Sequence, residues 1–178
     1  MRLFLTLLMI SFVLFSHAQD NTVMVTLNGI GDIKLNMKKA ELEKLLGQKL
    51  NLKNLATKSD YNNSDTFHCR YKGMDMDIVL TKSFITDSKY DIVVDEITSN
   101  NPLLKTRSGI GIGDDKCKII NTYAGYLMTI EPVYDDANST VISKTRSLIW
   151  LRGDTSAIIF YTDNNKITGM SVAVTEGD

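Results

Sequence analysis

The side chains able to do chemistry are few and lie far apart in the sequence. His68 is the only histidine beyond residue 18, and the hairpin pattern around it places it opposite Asp77, where an imidazole could act as a general base. Asp114 and Asp115 are adjacent carboxylates, which could bind a metal ion or share acid–base work. Simpler structural roles fit both pairs. These are a solvated cross-strand pair for His68, and capping of a helix N-terminus for the two aspartates.

The spacings that define common enzyme classes are missing from the chain after residue 18. It contains no GxSxG, HExxH, P-loop or GxGxxG pattern, and no CxxC or Cys/His metal pattern. Gly109, Gly111 and Gly113 alternate as in a phosphate-binding loop, but the lysine that would reach the phosphates is absent. We therefore expect a protein that is not an enzyme and that has no cofactor and no metal site.

The N-terminus has the features of a secretory signal peptide. Arg2 is followed by an apolar block over residues 3–15 and then by Ser16-His17-Ala18, with small residues at the −3 and −1 positions of a cleavage site after Ala18. The block is shorter than the roughly 20 residues that span a bilayer. A buried first strand or a membrane anchor is the alternative. We predict an exported protein, periplasmic or secreted, with no stable membrane anchor.

The charge balance of the mature chain argues against nucleic-acid binding. Removing residues 1–18 removes Arg2 alone among the charged groups, which leaves 19 basic and 21 acidic residues and a net charge of −2. A chain without excess positive charge has no basic field for phosphate backbones or anionic lipid.

The chain contains two cysteines, Cys69 and Cys117, which could form a disulfide. An even number of cysteines in an exported chain favours a disulfide, because the compartment is oxidising. A bridge would tie a strand of the first half to a helix of the second. The alternative is that both are small buried apolar residues.

Two stretches of similar pattern, residues 36–47 and 113–124, organise the chain. Aligned without a gap, Asn36 falls on Gly113, and each stretch follows a pair of alternating apolar residues and precedes strand-like segments. Each stretch predicts a short helix. The sequence therefore predicts an α+β fold of two tandem units, each a short helix packed on an antiparallel sheet, over residues 19–101 and 102–178.

The best hairpin signal lies between residues 65 and 81. A two-residue turn at Lys72-Gly73 places Cys69 opposite Met76 on an apolar face and Arg70 opposite Asp75 on a charged face. The agreement between the turn and both faces predicts this register.

The corresponding hairpin of the second half is apolar on both faces. A turn over residues 152–155 would put Leu151 opposite Ser156 and leave Trp150 and Tyr161 together on the other face, although a different turn length would change the pairing. Such a sheet is either covered on both sides or carries an exposed aromatic patch for a partner. Trp150, Tyr161 and Tyr134 are the candidate partner-binding residues, because aromatic side chains carry much of the energy of interfaces.

The two stretches resemble one known group of proteins. The pattern of a strand, Gly113-Asp114 at a helix start, an apolar residue six positions on and a closing Leu46-Gly47 is similar to the units of β-lactamase-inhibitory protein and of outer-membrane assembly lipoproteins of the BamE (SmpA/OmlA) type. The resemblance implies an exported protein that binds other proteins. The chain departs from the pattern at Asn36 and at Ala124, and it lacks the lipid-bearing cysteine of the BamE type.

We therefore expect an exported, non-enzymatic binding module for a protein partner in the cell envelope or extracellular space, either inhibitor-like or envelope-associated. The alternative is a periplasmic carrier of a small ligand or lipid that uses a cleft between the two repeats.

Overall fold

The computed structural model describes residues 22–55, 64–86, 89–135, 140–141 and 143–175, so the predicted signal peptide lies outside the described residues. In chain order the elements are β1 (Val23–Thr26), β2 (Gly29–Ile30), β3 (Ile33–Lys34), α1 (Lys39–Leu46), β4 (Asp65–Tyr71), β5 (Met74–Thr86), β6 (Lys89–Ser99), β7 (Leu104–Thr106), α2 (Lys116–Thr122), β8 (Met128–Pro132), β9 (Tyr134–Asp135), β10 (Thr140–Val141), β11 (Arg146–Arg152), β12 (Ser156–Asp163) and β13 (Lys166–Val174).

One seven-stranded antiparallel sheet dominates the fold, in the order β4-β5-β6-β13-β12-β11-β8. Its middle is the pairing of β6 with β13, in which Ile97 lies opposite Val172 and Thr98 opposite Ser171. A second sheet has the order β3-β2-β1-β7, and β9 and β10 form a separate two-stranded ribbon.

The predicted α+β fold of two tandem helix-on-sheet units is wrong. The described chain is mostly β, with α1 and α2 only eight and seven residues long. Strands from both sides of residue 102 share the seven-stranded sheet, and β7 joins the second sheet by pairing in parallel with β1. The similarity between residues 36–47 and 113–124 reflects two local structures, each a turn that leads into a short helix. The architecture depends instead on strand pairing between distant parts of the chain. The ranges 19–101 and 102–178 stay predictions.

The starts of the two helices are held to the large sheet by matching backbone contacts. Asn36 and Gly113 both have left-handed backbones, with φ of 61° and 85°. The N–H of Asn36 donates to the carbonyl of Val94 at 2.8 Å, and that of Gly113 to the carbonyl of Ile167 at 2.8 Å. In each case the strand residue returns a hydrogen bond to the next carbonyl of the turn. Asparagine can replace glycine here because it tolerates the left-handed region better than most residues.

The core lies between one face of the large sheet, the two helices and the small sheet. Leu42 of α1 and Ile119 of α2 are fully buried in the same apolar cluster as the inward side chains of the sheet. The members on β5, β6, β11, β12 and β13 are Met74, Met76, Ile78, Leu80, Val94, Ile97, Ile149, Leu151, Ile158, Phe160, Ile167, Met170 and Val172. Neither helix is long enough to be stable alone, so burial against the sheet holds both in place.

The structure confirms the register of the first hairpin and corrects that of the second. Cys69 lies opposite Met76 across the turn at Lys72-Gly73, as predicted. Between β11 and β12, however, Leu151 lies opposite Ile158 rather than Ser156. The N–H of Gly153 bonds to the carbonyl of Ser156 at 2.7 Å, which tightens the loop to Asp154-Thr155. Because the shift is an even number of residues, each side chain keeps its predicted face.

The left-handed backbone at Gly113 gives a prediction about stability. A Cβ at this position would meet nothing within 4 Å, so the cost of Gly113→Ala comes from the backbone alone. We expect a loss of about 1–2 kcal/mol in the free energy of unfolding, measured by urea denaturation. Gly113→Asn should lose less. Gly125→Ala is the matched control, since Gly125 also has open space but no left-handed backbone. Equal losses for the two alanine variants would contradict this account.

Candidate functional site

The candidate site is the face of the seven-stranded sheet that points away from the helices, here called the outer face. One row of facing residues crosses it from strand to strand: His68, Asp77, Thr98, Ser171, Ile159, Trp150 and Thr129. Ile159 is only 3% exposed, yet it lies outside the main apolar cluster of the core. The outer face is thus charged at the β4 end and apolar towards β11.

Trp150 and Tyr161 lie close together on the outer face. Trp150 is opposite Ile159, and Tyr161 is opposite Leu148, so the two aromatic residues are diagonal neighbours on adjacent strands. Both are partly buried. The predicted aromatic patch is therefore neither fully covered nor fully exposed.

Arg152 adds a cation to this aromatic pair. Its guanidinium carbon lies 5.4 Å from the centroid of the Trp150 ring, within the range of a cation–π contact. The Nε1–H of Trp150 is buried and has no hydrogen-bond acceptor among the described residues. Arg152 was not predicted from the sequence as a site residue, although its position two residues after Trp150 places it on the same strand face.

Tyr134 does not belong to this face. It lies in β9, outside the seven-stranded sheet, and is 49% exposed. The structure therefore brings together two of the three predicted partner-binding residues.

A hydrogen-bond cluster surrounds Glu96 at the centre of the outer face. Its Oε1 accepts from the hydroxyls of Ser171 at 2.5 Å, Thr98 at 3.1 Å and Tyr161 at 3.5 Å. Burial, followed by the nearby Glu96 charge, raises the pKa of Tyr161. The cluster joins β6, β13 and β12, so it holds Tyr161 in place relative to the junction of the two halves. No short motif in the sequence indicates it, because its members are distant along the chain.

Beside this cluster the outer face forms an open groove of about 400 Å³. Its lining includes two carboxylates, Asp75 and Asp77, with Arg146, Thr98 and Tyr161. Charged and hydroxyl groups of this kind suit a polar side chain or a small polar molecule.

His68 and Asp77 form the predicted pair at the charged end of the face. The Nδ1 of His68 lies 2.5 Å from the Oδ1 of Asp77, and both side chains are exposed. Solvent screening makes such a pair a weak contributor to stability.

The adjacent aspartates have separate structural roles. Asp115 caps α2, with its Oδ1 accepting from the N–H of Cys117 at 2.9 Å, and this bond lowers the pKa of Asp115. Asp114 accepts from the N–H of Gly111 at 2.9 Å and from Lys118 at 3.0 Å. The capping prediction is confirmed for Asp115, while Asp114 braces the turn before the helix. Within the described ranges, no group of three or more His, Cys, Asp or Glu is placed to hold a metal ion.

The two cysteines are free thiols in the structure. Cys69 lies half-buried on β4, where burial raises its pKa, and Cys117 is exposed in the first turn of α2. The bridge considered from the sequence is therefore not formed.

No family model, curated protein or solved structure matches the chain. In the part of the chain that the structure describes, neither helix has the length and apolar character needed to cross a membrane. The resemblance to β-lactamase-inhibitory protein and BamE-type units stays a prediction.

Asp95 gives a test of the electrostatics beside the Glu96 cluster. It is the extra residue of a bulge between β5 and β6, and burial, followed by the Glu96 charge, raises its pKa above the ordinary value of 3.8. Because the folded state holds this proton more tightly than the unfolded chain does, Asp95 makes stability fall as the pH rises from 3.8 through the folded-state pKa. We expect Asp95→Asn to remove this fall.

The measurement is the free energy of unfolding of the wild type and Asp95→Asn across the acidic range. The difference in favour of the variant should grow with pH above 3.8 and then level off. Asp154→Asn, in the exposed loop between β11 and β12, is the control. A difference that is constant with pH would refute the assignment.

Proposed function

We propose that this chain is an exported, non-enzymatic binding protein that holds a protein partner on its outer face. The observation that carries the proposal is the grouping of Trp150, Tyr161 and Arg152 on one face. Tryptophan, tyrosine and arginine are the residue types that most often dominate the energy of protein interfaces.

The charge distribution of the face suggests what the partner presents. Apolar or aromatic groups of the partner would lie against Trp150 and Tyr161, and a basic side chain would enter the groove beside Asp75 and Asp77. Fixed positions favour binding, because a side chain already held in place loses less entropy on association. The Glu96 cluster holds Tyr161, and strand pairing on both sides holds the backbone of Trp150.

The alternative function, a carrier of a small ligand or lipid, finds only partial support. The groove could admit a small polar molecule, and it lies where strands of the two halves meet. A carboxylate-lined, open groove is a poor site for a lipid chain, which requires apolar walls.

Trp150 is the single tryptophan of the chain, so its fluorescence reports directly on the proposed site. Protein expressed from the full chain is used to capture envelope and culture-fluid proteins of the source cell, and the captured protein is then purified. Titrating it into the wild type should shift the emission of Trp150 to saturation at one partner per chain.

Variants then locate the contact. Binding by the variants is measured by isothermal titration calorimetry, because Trp150→Ala lacks the fluorescent reporter. Trp150→Ala and Arg152→Ala should each weaken binding at least tenfold, the range expected for interface anchors. Leu103→Ala is the matched control, since Leu103 is an exposed apolar residue in the turn before β7. Loss of binding must occur with an unchanged circular dichroism spectrum. Full binding by both outer-face variants would refute the proposal, and a small molecule in the native mass spectrum in place of a protein would favour the carrier.

A further inference from the structure

The two edges of the seven-stranded sheet differ in chemistry. The β4 edge displays the exposed polar side chains of His68 and Arg70, and a charged side chain such as that of Arg70 discourages pairing of an edge with another chain. The β8 edge is bordered instead by exposed apolar and aromatic residues: Tyr126 (64%), Leu127 (64%), Ile130 (48%) and Tyr134 (49%).

Among the residues that the structure describes, no strand pairs with the outward side of β8, which is an edge strand of the seven-stranded sheet. The N–H of Arg152 donates to the carbonyl of Leu127 at 3.0 Å, which fixes the alternation of hydrogen bonds between β8 and β11. In an antiparallel pair every second residue points its N–H and C=O away from the partner strand. The outward groups of β8 therefore belong to Met128, Ile130 and Pro132. Pro132 has no N–H, and its place opposite Ser147 requires none.

The sequence around this edge is self-complementary about Ile130. Residues 126–134 read Tyr-Leu-Met-Thr-Ile-Glu-Pro-Val-Tyr. Reversed upon itself, Tyr126 falls opposite Tyr134, Leu127 opposite Val133 and Ile130 opposite itself. Glu131 falls opposite Thr129, so the stretch opposes no like charges. A symmetric dimer requires such a surface, because each chain then offers the same patch to the other.

We propose that the β8 edge pairs with β8 of a second copy of this chain, antiparallel about a twofold axis at Ile130. The two Ile130 residues exchange reciprocal N–H···O bonds, and each Met128 N–H donates to the Pro132 carbonyl of the other copy. The missing N–H of Pro132 leaves only the Met128 carbonyl without a bond in that pair. The sheets of the two copies then become continuous, and both outer faces stay accessible.

The dimer does not depend on the proposed function, because it uses the backbone edge of β8, whereas the proposed function uses the side chains of Trp150, Tyr161 and Arg152 on β11 and β12. The first test is the molar mass of protein expressed from the full chain, by light scattering over an about hundredfold range of concentration. We expect the mass of two chains, falling towards one on dilution. A single-chain mass throughout would overturn the proposal.

Charge substitution at the twofold axis tests the register. Ile130→Glu places two carboxylates opposite each other, and Ile130→Lys places two ammonium groups opposite each other, so each variant alone should have the mass of one chain. An equimolar mixture should regain the mass of two chains, because residue 130 of one variant then faces the opposite charge of the other. If the equimolar mixture has the mass of one chain, the twofold axis at Ile130 is wrong, whatever the mass of each variant alone.

A proline variant tests the same edge without adding a charge, so that an effect of charge on folding cannot explain the result. Ile130→Pro removes the outward N–H and leaves the hydrogen bonds to β11 in place, so it should also give single chains with a folded circular dichroism spectrum. Thr66→Glu on the β4 edge is the matched control and should remain a dimer. A folded Ile130→Pro that stays a dimer, or a Thr66→Glu that becomes a monomer, would contradict pairing through β8.

Discussion

The pairing of β6 with β13 is the interaction on which the other parts of the molecule depend. This pairing, here called the seam, joins a three-stranded meander from the first half to strands of the second. One side of the seam is apolar and the other is polar. Below the seam, Ile97 and Val172 are fully buried in the core. Above it, Glu96 gathers hydroxyl donors from β6, β12 and β13. Because the seam has an apolar side and a polar side, a shift of the β6–β13 register by one residue would expose the core residues and bury the polar cluster.

The outer face owes its properties to this same seam. The charged side chains of β4 and β5 come from the first half, whereas Trp150, Tyr161 and Arg152 come from the second. A continuous sheet therefore places acidic groups and an aromatic cluster on one surface, which neither half has alone. The helices serve this surface indirectly, since they cover the opposite side of the sheet and hold it in shape.

Local features of the fold could be predicted from sequence, and distant pairings could not. The Lys72-Gly73 turn was predictable because both strand faces agree with a two-residue turn at this position, and in the structure both residues adopt the positive φ of such a turn. Asp115 was predictable as a cap because it comes directly before the predicted helix, and aspartate is favoured at the N-cap position. The second hairpin was misaligned because its two faces are both apolar, so hydrophobicity gives no preference between registers that differ by two residues.

The architecture was missed for a different reason. Nothing in residues 89–99 indicates that β13, rather than a strand of the same half, completes their pairing. In the candidate site, the positions of Trp150 and Tyr161 on one face followed from their alternation along neighbouring strands. Glu96 and Arg146 could not be placed there, because their roles arise from contacts across several strands.

The long sequence separation between β6 and its partner β13 has a consequence for how the molecule is made. Until residues 166–174 are available, the unpaired side of β6 remains an open strand edge in the middle of the future sheet. A chain delivered from its N-terminus, by a ribosome or through a translocation channel, therefore cannot close its sheet gradually. The two parts of the sheet join only when β13 pairs with β6, so a chain truncated before residue 166 should present an open strand edge to chaperones and proteases.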